Sequence, residues 1–190
     1  MRIVTVTPAT DYPVSTAEAR EQCALASDTS HDTLLDRLIA AATKGVEAET
    51  GARLMPQTLR IESDGFPCGP LDLAVYPVAS VTSVKYDDTD GTEQTLSTDG
   101  YWSDLAGMYP RLVPNTSWPD TQSSKPATVR ATIVAGYADA ASVPADIRHA
   151  ILLRVAELFQ NREESIIGMS VTPTVNTIKL LLDSHRRYVF

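Results

Sequence analysis

The sequence predicts an α+β chain: an antiparallel helical bundle with a small antiparallel β-rich insertion and a C-terminal helix. Three observations lead there. Pro144 to Glu164 holds Ile147, Ile151, Val155, Leu158 and Phe159 at helical spacing, and Leu152 and Leu153 widen that apolar face beyond a coiled-coil seam. Ser15 with Glu18, and later Gly51, supply start and stop signals for two earlier helices. Between Leu54 and Tyr137 the period changes from helical to alternating, and turn residues recur every few positions. The chain divides accordingly into an N-terminal arm with the first two bundle helices (1–53), a β-rich insertion (54–142), a central bundle helix (143–167) and a linker with a C-terminal helix (168–190).

Ile3 to Thr7 alternates β-branched residues and reads as a short strand or an arm, stopped by Pro8 and Pro13. Ser15 and Glu18 make the S-x-x-E capping box of a first helix that runs to about Ala26. A second helix starts near His31, places Leu34, Leu35, Leu38, Ile39, Ala42 and Val46 on one side, and stops at Gly51. Gly45 inside it costs about 1 kcal/mol against alanine, so a close approach by another helix is the expected compensation. Strands are expected at Gln57 to Ser63, Val81 to Tyr86, Thr92 to Leu96, Arg111 to Val113 and Thr128 to Ala135, with a hairpin turn at Asp90-Gly91. The prolines and glycines between them imply ordered loops and edge strands, hence a small open sheet. Pro144 suits the first turn of the central helix, and Asp146 lies near the positive end of its dipole. A last helix is capped by Asn176 or Thr177 and runs through TIKLLLDSHRRY.

With 190 residues, the chain can bury a sizeable core without staples. A net charge of -8 and a pI near 4.8 argue against gripping nucleic acid through phosphate neutralisation, which needs a basic face. Cys23, in a predicted helix, and Cys68, in a Pro/Gly-rich turn, form no disulfide framework and fit a reducing compartment. The N-terminal apolar stretch is too short and too broken by threonine for a signal h-region, and no run approaches a membrane span.

The residues of chemistry are scattered. His31, His149 and His185 stand alone in sequence, and the chain contains no H-E-x-x-H, C-x-x-C or phosphate-cradling glycine loop. Asp87, Asp88 and Asp90 share the composition of a calcium loop but lack its spacing and closing glutamate, so a solvated hairpin turn accounts for them. Cys23 lacks the basic sequence neighbours that activate a thiol, and Trp102, Trp118, Tyr101 and Tyr109 lack the interleaved basic residues of a base-stacking surface. No residue of the sequence is expected to serve as a catalytic, cofactor-binding or metal-binding group.

The C-terminal segment is the exception. Ile178, Leu181, Leu182, His185 and Val189 share a helix face, Lys179, Asp183, Arg186 and Arg187 flank it, and Tyr188 and Phe190 make an apolar end. Such a segment either folds back on its own core or docks in another protein's groove.

Three blocks, LIAAATKGVEAETGARLMPQTLRIESDGFP, YPVASVTSVKYDDTDGTEQTL and IVAGYADAASVPADIRHAILLRVAELFQNRE, together with the AGY…VPADIRHAI junction, resemble the head-tail connector, or adaptor, proteins of long-tailed phages and gene transfer agents. The likeness spans Leu38 to Glu163, most of the chain. It implies a ring, twelvefold, in the neck of a virion or virion-like particle assembled in the bacterial cytoplasm, between the portal protein and a tail-proximal stopper or tail terminator. DNA passes through the lumen of such a ring without specific binding, and an acidic wall suits that passage by repelling phosphates. In this family the C-terminal part engages the portal, which makes Ile178, Leu181, Leu182, Arg186, Arg187, Tyr188 and Phe190 the expected portal-binding residues. The alternative from another class is a small soluble enzyme or assembly factor with a site in the β-rich loops, for which Asp104, Arg111 and Asp120 are the available side chains.

Overall fold

The computed structural model describes residues 1–25, 27–122, 125–161 and 177–188. Among them the chain forms eight strands and four helices in two units, one of residues 1–10 and 55–138 and one of residues 11–54 and 139–190.

The first unit is built on the alternating residues. Strand β8 (Val129–Ala135) buries Val129, Ala131, Ile133 and Ala135 on one face, and it lies in the middle of a five-stranded antiparallel sheet. Its neighbours are β2 (Gln57–Ser63) and β4 (Val78–Asp87), and the outer strands are β1 (Arg2–Thr7) and β5 (Glu93–Thr95), giving the order β1-β2-β8-β4-β5. A second, three-stranded antiparallel sheet has the order β3-β7-β6, from β3 (Leu71–Asp72), β6 (Tyr101–Asp104) and β7 (Arg111–Pro114). Leu59, Ile61, Val84 and Ile133 of the larger sheet share one core with Leu71, Tyr101 and Leu112 of the smaller. Burying a side chain of that size contributes roughly 1.5 to 3 kcal/mol, so this unit has a hydrophobic centre of its own. Gly91, at φ 82, turns the β4–β5 hairpin at the predicted place.

The second unit holds the helices. In α1 (Thr16–Gln22), Ser15 Oγ accepts from the Glu18 amide at 3.2 Å and Glu18 Oε2 accepts from the Ser15 amide at 2.7 Å, the reciprocal bonds of a capping box. Glu18 also meets Arg148 on α3 (Ala145–Gln160). Substituting Ser15→Ala should therefore cost about 1 kcal/mol, read as a lower thermal midpoint of helical ellipticity at 222 nm. An unchanged midpoint would show that α1 is held by packing alone. The helix ends before Ala26 because Ala24 turns left-handed, at φ 56. Helix α2 (Asp32–Thr50) buries Leu35, Ile39, Ala42, Thr43, Val46 and Thr50, while Leu34 and Leu38 are only half-buried at the edge of that stripe. Gly51 closes it in the left-handed conformation at φ 77, its amide bonded to the Glu47 carbonyl. The close approach expected at Gly45 is made by Arg154, whose Nη1 would lie 2.9 Å from an added Cβ. Helix α3 turns Ile147, Ala150, Ile151 and Val155 inward, and α4 (Thr177–Asp183) turns in Leu182.

The expected helical bundle with a small insertion is corrected by these elements. The protein is mixed α+β, with two antiparallel sheets that carry more of the ordered architecture than an insertion would, and it is not a helical bundle. Two features lie behind the difference. The N-terminal segment is a strand of the larger sheet, paired with β2 across more than fifty residues of sequence, and local periodicity cannot report such a pairing. The short strands β3 and β6 then supply a second sheet where the glycines and prolines read as loop.

Candidate functional site

The C-terminal segment, the part of the sequence that most resembles a binding element, is folded against the helices of its own unit. Leu182 is fully buried. His185 Nε2 lies 2.6 Å from Asp146 Oδ2 at the start of α3. Burial pushes the Asp146 carboxyl upward, but the His185 bond and the Ile147 amide outweigh it and leave the carboxyl below its usual range. Arg186 Nη2 donates to Glu49 Oε1 at 2.6 Å, and the other oxygen of that carboxylate accepts from Arg154 at 3.2 Å. The Arg187 amide bonds the Thr50 carbonyl at 2.9 Å, satisfying one of the open carbonyls at the end of α2.

The expected portal-binding residues therefore divide by direction. Leu182 and Arg186 face the chain's own helices, Ile178, Leu181 and Arg187 are half-buried, and Phe190 lies outside the described residues, as does the expected linker 168–174. What faces outward is Leu180, 69% exposed, with Tyr188, 48% exposed, its hydroxyl 3.4 Å from Asp183 Oδ1.

The side chains weighed for catalysis are dispersed. Asp104 and Arg111 meet as a cross-strand pair between β6 and β7, Oδ2 to Nε 3.1 Å, both about half exposed. Asp120 lines a different place, an open cleft of about 470 Å³ in the β unit walled by Phe66, Cys68 and Trp118. There the Phe66 and Trp118 rings stack in parallel at 4.7 Å, and the indole N–H donates to the Gly69 carbonyl at 2.8 Å, so both aromatics pin loops together. His149 is exposed on α3, and Cys23 and Cys68 are free thiols, with burial pushing that of Cys23 up. Among the described residues no group of three His, Cys, Asp or Glu side chains is placed to hold a metal, and no helix is long and apolar enough to cross a membrane.

The strongest electrostatic cluster lies where the sequence suggested only a solvated turn. Asp87, at the end of β4, is buried, with Oδ1 2.5 Å from Arg130 Nη2 and Oδ2 2.6 Å from Lys125 Nζ. The Arg130 and then the Lys125 bonds hold its carboxyl far below the usual carboxylate range, and Arg130 is raised in return. Arg130 also reaches Glu93 on β5, which pairs with Lys85. One signal could have found this network: Arg130 is the lone charge in VRATIVA, and a charge in a buried strand requires a partner. A second carboxylate, Glu62 on β2, is buried between Arg2 and Arg60 and is lowered chiefly by the Arg2 bond. Both clusters tie neighbouring strands together, β4 to β8 and β1 to β2.

No protein-family model matches the chain, and no curated protein matches it in sequence. Solved structures do match in three dimensions. A chain in the virion of a native gene transfer agent particle superposes with a TM-score of 0.82 at 20% identity. A chain in the neck of an empty gene transfer agent particle, computed with C6 symmetry, gives 0.81 at 21%. A third, in the neck of a native particle computed with C12 symmetry, gives 0.72 at 20%. In each case the match covers 100% of this chain and 97% of the other. At that identity the likeness shows the fold: from end to end, this chain has the fold of those virion and neck chains.

Proposed function

We propose that the protein is a structural neck component of a gene-transfer-agent-like or phage-like particle, the head-tail adaptor whose ring links the portal to the tail-proximal neck. The observation that carries this reading is the fold shared over all of this chain and 97% of chains in gene transfer agent virion and neck structures. The resemblance of the sequence blocks supports it independently, and the dispersed, mutually paired charged side chains are those of a scaffold. In this reading twelve copies surround a lumen through which DNA passes, and the net charge of -8 keeps the phosphates from adhering to the wall. The C-terminal segment contacts the portal with the face that its own helices leave uncovered, Leu180 and Tyr188 at its centre. Leu182, Arg186 and the Arg187 amide anchor it from behind.

The test is binding to the portal protein of the same particle, measured by calorimetry. Leu180→Asp combined with Tyr188→Ala should weaken binding at least about tenfold while leaving the thermal midpoint unchanged, because both side chains are exposed and repeated contacts around a ring multiply a modest loss. Leu182→Ala should instead lower the midpoint, by about 2 to 4 kcal/mol in stability. Full portal affinity in the Leu180/Tyr188 double variant would place the docking surface elsewhere. Particles lacking this protein should carry packaged heads without tails, and normal tailed particles would overturn the adaptor role itself.

A further inference from the structure

The β unit ends in strand edges that are defended unequally. The β5 edge is three residues long, polar, and carries Glu93 in an ion pair with Lys85, the usual means of keeping an edge from pairing. The β1 edge is guarded only at its start, by Arg2, which pairs with Glu62 on β2. From Ile3 to Thr7 every residue is β-branched and none is charged, and the strand is exposed on both faces, with Ile3 38% and Val6 51% exposed. Before the bulge between Thr5 and Thr7, Arg2 to Thr5 run in regular register along β2, leaving the backbone groups of alternate residues open on the far side. In the smaller sheet β6 is likewise an outer strand of four residues, Tyr101–Asp104, and it displays Trp102 at 69% exposure.

A ring of more than two copies requires two different surfaces on each copy, one complementary to the other. We propose that the β1 edge of one copy pairs antiparallel with the β6 edge of the next, joining the sheets of neighbouring subunits around the ring. The two edges match in length, and antiparallel register over those four residues sets Arg2 opposite Asp104, Ile3 opposite Ser103, Val4 opposite Trp102 and Thr5 opposite Tyr101. Arg2, largely exposed, and Asp104, about half exposed, then add a charge pair between copies to the pairs they make within one. Val4 against Trp102 is the aromatic and β-branched combination that stabilises cross-strand neighbours. Backbone bonds along the seam supply the contact, and the charge pair fixes register and direction. This rests on the ring of the proposed function, and its test also on the portal contact.

The experiment is disulfide trapping in the complex of this protein with its portal, in a Cys23→Ser, Cys68→Ser background. Ile3→Cys and Ser103→Cys versions are produced separately, mixed, assembled on the portal and oxidised. Covalent dimers should form from the mixture and from neither version alone, and a chain carrying both changes should give ladders of linked copies. Replacing Ser103→Cys by Gln94→Cys on the β5 edge should abolish trapping. Native mass spectrometry of the same complex counts the copies. Several copies per portal without Ile3–Ser103 trapping would overturn the edge pairing and leave the ring standing, as would trapping through Gln94. A complex with one isolated copy would overturn the ring and the pairing together. Trp102→Asp provides the second reading: fewer copies per portal at an unchanged monomer thermal midpoint is expected, and a full complement would count against the seam.

Discussion

Gly136→Ala should abolish the stable fold of the β unit, at a cost above about 4 kcal/mol. Gly136 follows β8 directly and sits at φ 118, a conformation that L side chains rarely adopt, with its amide bonded to the Pro77 carbonyl at 2.9 Å. An added Cβ would lie 2.2 Å from the Met55 carbonyl oxygen, 2.4 Å from its carbon and 2.8 Å from the Pro56 nitrogen. Those are backbone atoms, so no rotamer change relieves the overlap. Either Met55 and Pro56 move, breaking the start of the register in which Gln57 faces Ala135, or the end of β8 does. Trp102 and Trp118 both lie in the β unit, so tryptophan fluorescence in urea reports this unit, while ellipticity at 222 nm reports mainly the helices. The variant should lose its fluorescence transition, or show it at a much lower urea concentration. Gly69→Ala is the control: its added Cβ meets nothing within 4 Å, and stability should change by less than about 1 kcal/mol. A Gly136→Ala protein unfolding at the wild-type midpoint would sink the argument from close approach.

The position of Gly136 also shows which kind of information the sequence carried. Elements with a dense local signal were legible: the capping box at Ser15, the stop at Gly51, the turn at Gly91, and the alternation of Gln57 to Ser63 and of Thr128 to Ala135. Strand β4 was legible only from Val81 onward, because register shifts at Val78/Ser80 and Val81/Ser83 break its period of two. Strand β3 has two residues and therefore no period at all. The helices, whose signal is local, looked like the frame, and the sheets, whose signal is distributed over distant pairings such as Arg2 with Glu62, looked like an insertion. That asymmetry produced the wrong fold class.

The candidate site was legible in the same uneven way. The amphipathic C-terminal pattern marks an apolar stripe, of which Leu182 is buried, but the pattern is the same whether the groove belongs to this chain or to another. Leu182 is covered by this chain, and among the described large apolar side chains of the segment Leu180 and Tyr188 are the exposed ones. Leu180 falls off the stripe of Ile178, Leu181 and Leu182, and a residue off the buried stripe is the one that solvent or a partner meets. Asp87 failed for a related reason: three aspartates around a turn read as solvated, while the two cations that bury one of them arrive from Lys125 and Arg130, about forty residues later.

Asp87→Asn should lower the stability of the β unit by about 3 kcal/mol. The carboxylate is buried and answers two cations, and removing its charge leaves Arg130, itself mostly buried, without its main partner. The figure sits at the low end for a broken buried pair because Lys125 is half-exposed and can return to water, and because Arg130 keeps Glu93 at 3.0 Å and the Ala127 carbonyl at 3.0 Å. The linked pH dependence has a definite sign. The folded-state pKa of Asp87 is depressed, so its contribution is fully present above the ordinary aspartate value of about 4 and is lost as pH falls through that value and below it, where the unfolded chain binds the proton first. Urea midpoints by tryptophan fluorescence should thus differ between the wild type and Asp87→Asn at pH 7 and converge as pH is taken below about 4. Replacing both partners, Asp87→Leu with Arg130→Met, should recover more than half of the loss, since an apolar pair of similar volume leaves no buried charge unmatched. A single variant as stable as wild type at pH 7, or a gap that stays constant down to acid pH, would show that the Asp87 carboxylate does not hold β4 to β8.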